Sequence, residues 1–289
     1  MRRPEGGGHR PRPWAGVQLL MMLIFCDRGP RIWQSRKRKG PMPAPDKLRD
    51  DPIVEALLEI RFAATAELEE VVVGRLSDID LWRSLQKTRL PVASIPEPIR
   101  ASTPGMAFVP TIEIRGVEGI GAVRIGGKVL GLHFVRPYDG WENIFPRIGK
   151  VIHALFLAVS TVVIERIALR YINVFTEARH GVRSVHDLNV KLLLDDRAID
   201  GPMNVVFSEE RAEYISQMRL ASRRYLQGQL ETDSTAAAEI QVNTPAKFSC
   251  SSAKDALVWI DRAHDGEKAA FRRLLPDDLY ASLLRTPAQ

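Results

Sequence analysis

The sequence predicts an α+β protein with a ferredoxin-like first half, followed by a second antiparallel sheet and C-terminal helices. Three segments carry this prediction: an alternating apolar strand at residues 53–62, an amphipathic helix beginning near residue 139, and a long alternating strand at residues 163–175. Apolar residues at every second position indicate a half-buried strand, whereas a spacing of three or four indicates a helix. With the segments between them, they give the β-α-β-β-α-β order of the ferredoxin-like pattern.

The chain divides into four parts on composition and periodicity. These are a basic leader (1–41) expected to be disordered, a short lead-in (42–51), a first α+β domain (52–176) and a second α+β half (177–289).

The segment between the first strand and the long helix contains smaller elements. The sequence predicts a helix over residues 66–87 and short strands over 107–115, 121–125 and 128–136. Five prolines in or just after residues 90–105 exclude a helix and predict a crossing loop, because proline lacks the backbone N–H that a helix interior needs.

Local sequence signals predict the hairpin turn near residue 126 and the start of the helix near residue 139. Gly126 and Gly127 predict a two-residue hairpin turn. Asp139 and Glu142 have capping-box spacing. Pro146 predicts either a kink or a later start of the regular helix, near residue 143.

The second half is predicted to alternate short strands with turns before two helices. The expected strands are 188–194, 203–208, 212–221, 225–231 and 237–243. Ser252 and Asp255 have the spacing of a cap for a helix over residues 253–275, and a last short helix follows Pro276.

The leader has three interpretations that the sequence leaves open. Residues 14–26 are apolar but number only 13, short of the roughly 20 needed to span a bilayer. They could be a secretory or membrane segment, or part of a functional basic tail. In the third interpretation translation starts at Met42, since residues 1–41 show neither periodicity nor capping signals.

The basic charge of the chain lies almost entirely in that leader. Residues 1–41 carry ten Lys and Arg against two acidic residues, so a total of +6 leaves −2 for the rest of the chain. This weakens an electrostatic argument for nucleic-acid binding.

Cys26 and Cys250 are far apart and give no disulfide or zinc spacing, which fits a reducing cytoplasm. We expect no cofactor, no metal and no membrane insertion.

Several segments resemble a family of uncharacterised prokaryotic proteins that is sporadically distributed. The similar segments are 52–62, 138–142 and 169–173, with a weaker match over 264–271. The resemblance covers most of residues 52–284, omits the leader and implies no established activity. A patchy distribution implies an association with mobile or defence-linked genes.

Four residues are the candidates for a binding surface: Arg166, Arg170, Tyr138 and Trp141. Arginines four apart on a strand point the same way and could meet a phosphate or carboxylate. The alternative is a cross-strand charge ladder with Glu55 and Glu59 on the first strand. For Tyr138 and Trp141, the alternative is packing at the helix start. No catalytic residue is predicted.

Three functions remain open. The first is a non-enzymatic cytoplasmic module that binds another protein through a sheet face or the Pro-rich loop. The second is an RNA- or nucleotide-binding module, since ferredoxin-like sheets can stack bases on aromatic residues. The third is a hydrolase or nuclease whose site assembles from distant residues.

Overall fold

A nine-stranded antiparallel sheet organises the described part of the chain. The computed structural model describes residues 48, 50–63, 66–103, 105–159, 162–223 and 233–284. The predictions for the leader, for a start at Met42, for most of the lead-in and for a strand over 225–231 lie outside these residues. The protein is mixed α+β, with one large antiparallel sheet and C-terminal helices.

The strands run in chain order as follows: β1 (Ile53–Ala63), β2 (Lys87–Arg89), β3 (Ile112–Ile114), β4 (Ala122–Gly126), β5 (Val129–Val135), β6 (Val163–Thr176), β7 (Leu193–Leu194), β8 (Arg197–Ala198), β9 (Asn204–Glu210), β10 (Ile215–Ser222) and β11 (Ser234–Asn243). The helices are α1 (Ala66–Ser77), α2 (Glu97–Ser102), α3 (Trp141–Ala158), α4 (Glu177–His180), α5 (Ala253–Leu274) and α6 (Asp277–Leu283).

The strand order of the large sheet is β2-β3-β4-β5-β1-β6-β11-β10-β9. The predicted second antiparallel set of strands, β9, β10 and β11, is therefore present, but it is part of the same sheet as the first half and not a separate sheet. Strand β6 is long enough to pair with β1 on one edge and with β11 on the other, so β11, β10 and β9 extend the first sheet. A separate small hairpin consists of β7 and β8.

The hydrophobic core lies on one side of this sheet. Ala56, Leu58, Ile60 and Phe62 of β1 are at most 2% exposed and point to the side where α1, α3 and α5 pack. This is the alternation that the sequence predicts. Full burial of an aliphatic side chain stabilises the fold by roughly 1.5–3 kcal/mol, so β1 contributes to the core along its whole length.

Two segments before β3 differ from their predictions. Helix α1 ends at Ser77 instead of continuing to residue 87, and the fully buried indole of Trp82 donates a hydrogen bond from Nε1 to the Leu76 carbonyl at 2.7 Å. The Pro-rich loop contains the short helix α2, with Pro98 in its first turn. Proline is tolerated there because the N–H groups of a first turn have no helical partner.

The start of α3 also differs from its prediction. Its N-cap is Gly140 with φ of +87°, and no side chain caps the helix. The Asp139 carboxylate accepts a hydrogen bond from Arg147 at 2.6 Å instead of forming the predicted capping box. The helix runs from Trp141 to Ala158 with Pro146 in its second turn. At the preceding hairpin, Gly126 pairs with Val129, so the turn lies one residue later than predicted.

Within the described residues, no helix combines the length and the apolar character needed to cross a membrane.

Substitution of two leucines, one inside the core and one on the surface, tests this arrangement. Leu58 on β1 is fully buried, whereas Leu157 on α3 is 85% exposed. We expect Leu58→Ala to lower the free energy of unfolding in urea by about 2–5 kcal/mol, because it leaves a cavity. Leu157→Ala serves as the control, with a change within about 0.5 kcal/mol. Equal effects of the two substitutions would contradict the assignment of β1 to the sheet centre.

Candidate functional site

The side of the sheet opposite α1, α3 and α5 carries a continuous set of polar residues, here called the polar face. Alternation along each strand turns the residues between the core positions to this side. Its strand residues are Arg124 on β4, His133 on β5, Glu55, Leu57 and Glu59 on β1, Arg166, Arg170 and Ile172 on β6, Glu239, Gln241 and Asn243 on β11, Gln217 and Arg219 on β10, and Val206 and Ser208 on β9.

The predicted charge ladder places Glu55 and Glu59 of β1 near Arg166 and Arg170 of β6, as expected. The two strands are antiparallel neighbours, and Arg166 Nη1 lies 3.3 Å from Glu59 Oε1. The charge of Arg170 helps to lower the pKa of the Glu55 carboxyl, but the ion pair of Arg170 is with a third strand. Arg170 Nη1 lies 3.2 Å from Glu239 Oε1 on β11. Glu239 is the partner of Arg170 because β11 pairs with the edge of β6 that β1 does not use.

Glu55 uses the neighbouring strand on its other side. Its Oε1 lies 2.5 Å from Nδ1 of His133 on β5. The hydrogen bond from His133 lowers the pKa of the Glu55 carboxyl, although partial burial acts in the opposite direction. Glu113 on β3 is bound in the same way by Arg124 and Arg115, at 2.8 and 2.7 Å. Most charges of the polar face are therefore paired within the face.

A cleft of about 370 Å³ opens on the polar face where β6, β11, β10 and β9 lie side by side. Arg166 is one of the residues that line it, and burial together with the nearby Arg61 lowers the pKa of the Arg166 guanidinium. Arg166 Nη2 and Gln241 Nε2 both donate to Oδ1 of Asn243, each at 2.6 Å. The side chain of Gln217 lines the same cleft and is exposed.

This lining is rich in amides and hydroxyls and has a single arginine and a single carboxylate, Glu165. Amide side chains both donate and accept hydrogen bonds, so the cleft is suited to groups that do the same, such as a peptide backbone. The sequence prediction found Arg166 but missed Gln217, Gln241 and Asn243. The alternation of side chains along β10 and β11 assigns these three residues to the polar face. Only the pairing of β10 with β11, and of β11 with β6, places them near Arg166.

Tyr138 and Trp141 lie on the helical side and are not part of the cleft. Tyr138 Oη lies 3.2 Å from Tyr171 Oη, which in turn lies 3.2 Å from Nδ1 of His264 on α5. The Trp141 ring stacks on His264 with centroids 4.1 Å apart, and its Nε1 donates to Asp261 at 3.0 Å. These contacts tie the start of α3 to β6 and α5.

Burial disfavours the charged forms of the acidic groups in and beside this cluster. Burial raises the pKa of both tyrosines, so they remain hydroxyl groups. Glu267 lies one turn beyond His264 and is 5% exposed. Burial, with the nearby Asp51 adding to it, raises the pKa of Glu267 to about 8. The cluster thus holds a protonated carboxyl next to neutral phenols.

Within the described ranges, no three His, Cys, Asp or Glu side chains are arranged to hold a metal ion. Cys250 is a free, buried thiol.

The proton on Glu267 predicts a specific pH dependence of stability. From about pH 4.5 to 8 the folded protein keeps this proton while the unfolded chain has lost it, so the free energy of unfolding falls as pH rises. We expect Glu267→Gln to remove that decrease, because the amide stays neutral in both states. Urea unfolding of both proteins from pH 5 to 8 measures it. A stability difference that stays constant across this range would contradict the buried proton.

Comparison with protein-family models, with curated proteins and with solved structures gives no match.

Proposed function

We propose that this protein is a non-enzymatic module that binds another protein on its polar face. The observation that carries the proposal is the amide-lined cleft beside Arg166 in a face whose other charges are largely paired internally. Covering a paired charge costs less than covering an unpaired one, because the pair offsets part of the free energy of desolvation. Three amide side chains, Gln217, Gln241 and Asn243, line the cleft and give it groups that can bond to a partner.

Apolar residues elsewhere on the polar face support the same proposal. Val206 on β9 and Val135 on β5 are 54% and 52% exposed on the polar face, and Leu57 and Ile172 are half-buried between them. Aliphatic groups interspersed with amides and paired charges are typical of a surface that another protein covers. A cytoplasmic location is part of the proposal, and the free thiol of Cys250 is compatible with it.

The composition of the face favours a protein over a nucleic acid. Base recognition on a sheet relies on exposed aromatic rings that stack on bases. Among the described strand residues that point to the polar face, none is Phe, Tyr or Trp. The arginines near the cleft are engaged, Arg166 with Glu59 and Arg170 with Glu239.

We also propose a ferredoxin-like arrangement for residues 52–176. The order β4-β5-β1-β6 with α1 and α3 on one side supports it, with β2 and β3 as additions between α1 and β4.

The relationship to the sporadically distributed prokaryotic family is likewise a proposal, together with its association with mobile or defence-linked genes. Three of the similar segments supply residues to one cluster: Tyr138 and Trp141, Tyr171, and His264. That convergence supports a shared fold.

Site-specific photo-crosslinking tests the binding surface. A photoreactive amino acid replaces Gln217 in the cleft or, as a matched control, Gln86, which is exposed in the turn before β2. After irradiation in an extract of the source cells, we expect one discrete crosslinked protein from position 217 and none from position 86. Gln241→Ala combined with photoreactive position 217 should reduce the yield several-fold, because it removes a cleft amide.

Three outcomes would contradict the proposal. They are crosslinks of equal yield from both positions, a nuclease-sensitive adduct in place of a protein adduct at position 217, and an unchanged yield in the Gln241→Ala background. The nuclease-sensitive adduct would favour the RNA-binding alternative.

A further inference from the structure

A second cavity lies at the far edge of the sheet, on the side that carries α1. Its volume is about 520 Å³, and it is bounded by α1, by the edge strand β2 and its neighbour β3, and by the Pro-rich segment before and within α2. That volume lies within the range of about 300–1,000 Å³ that is typical of small-molecule sites. Nothing in the protein-binding proposal uses this cavity.

Charged groups of both signs line the cavity without satisfying one another. Arg89 projects from β2, and Arg100 and Glu97 lie on α2. Glu97 Oε1 is buried and receives no hydrogen bond in the described structure. Arg100 donates from Nε to the Ile95 carbonyl at 3.1 Å. Within the described ranges neither arginine forms an ion pair, although Glu97 lines the same cavity.

A buried carboxylate oxygen without a donor costs free energy, so it requires an explanation. An ammonium group entering the cavity would supply that donor. The guanidinium groups of Arg89 and Arg100 also line the cavity, and a carboxylate is the acceptor that suits a guanidinium best. One small molecule that carries both an ammonium and a carboxylate would offer a partner to all three side chains.

Apolar residues complete the lining. Val73 on α1, Ile112 on β3 and Ile95 before α2 bound the remaining space. An aliphatic side chain would bury its surface against them, gaining about 25 cal/mol per Å² of apolar area. We propose that this cavity binds a free amino acid with an aliphatic side chain. Its carboxylate lies toward Arg89 and Arg100, and its ammonium toward Glu97.

Calorimetric titration of the full chain tests this site. The probes are valine, leucine, isoleucine and methionine, each titrated separately. For each probe, the corresponding carboxylate without the amino group and the corresponding amine without the carboxylate serve as matched ligands; for leucine these are 4-methylpentanoate and 3-methylbutylamine. We expect saturable binding of at least one amino acid and at least tenfold weaker binding of its two matched ligands, since each lacks one charge-assisted contact.

Variants distinguish the cavity from other surfaces. Glu97→Gln and Arg100→Gln should each weaken amino-acid binding by about tenfold or more. The controls are Glu118→Gln and Arg197→Gln, which remove the same groups at exposed positions and should leave binding unchanged. Circular dichroism spectra and thermal melting of each variant verify that it is folded.

Three results would overturn the proposal. The first is the absence of heat and of any thermal stabilisation with all four amino acids at millimolar concentration. The second is binding of the matched carboxylate as tight as that of the amino acid, which would indicate a simple anion site. The third is amino-acid binding that survives both Glu97→Gln and Arg100→Gln in folded protein.

Discussion

The antiparallel pairing of β1 with β6 is the interaction on which the rest of the structure depends. It lies at the centre of the sheet, and each strand uses its second edge to recruit a neighbour, β5 or β11. Because side chains alternate along both strands, one register turns Leu58 and Leu169 to the core and Glu59 and Arg166 away from it. A slip of one residue would exchange these two sets, burying charges and exposing the core.

The two sides of the sheet therefore differ in how their polar groups are bonded and charged. On the helical side, the polar atoms of Tyr138, Tyr171 and His264 bind one another, and Glu267 is held as a neutral acid. That side stabilises the packing of α3 and α5 on β6. On the polar face, charges remain ionised and paired, while amides keep unused hydrogen-bonding capacity. The first arrangement suits a fixed interior, and the second suits a surface that a partner covers.

Local patterns in the sequence were sufficient to predict β1, α3, β6 and α5, because each has a long, regular apolar period. They were not sufficient where partners come from distant segments. Glu239 and His133 replaced the expected partners of Arg170 and Glu55, because strand neighbours are set by tertiary pairing. The sequence did not predict the cleft for the same reason: of its lining residues only Arg166 stood out, as a charge on a strand, whereas Gln217 and Gln241 look like ordinary surface residues.

The claim that a protein partner covers the cleft is tested most directly by protection of an engineered thiol, in the presence of the partner identified by crosslinking. In a Cys26→Ser background, Ser208→Cys places a thiol in the cleft and Ser84→Cys places one in an exposed turn outside it, while Cys250 stays buried. We expect both engineered thiols to react with maleimide in the free protein and the partner to slow labelling at position 208 alone. A partner that leaves position 208 unprotected, or that protects both positions equally, would contradict a binding site on the polar face.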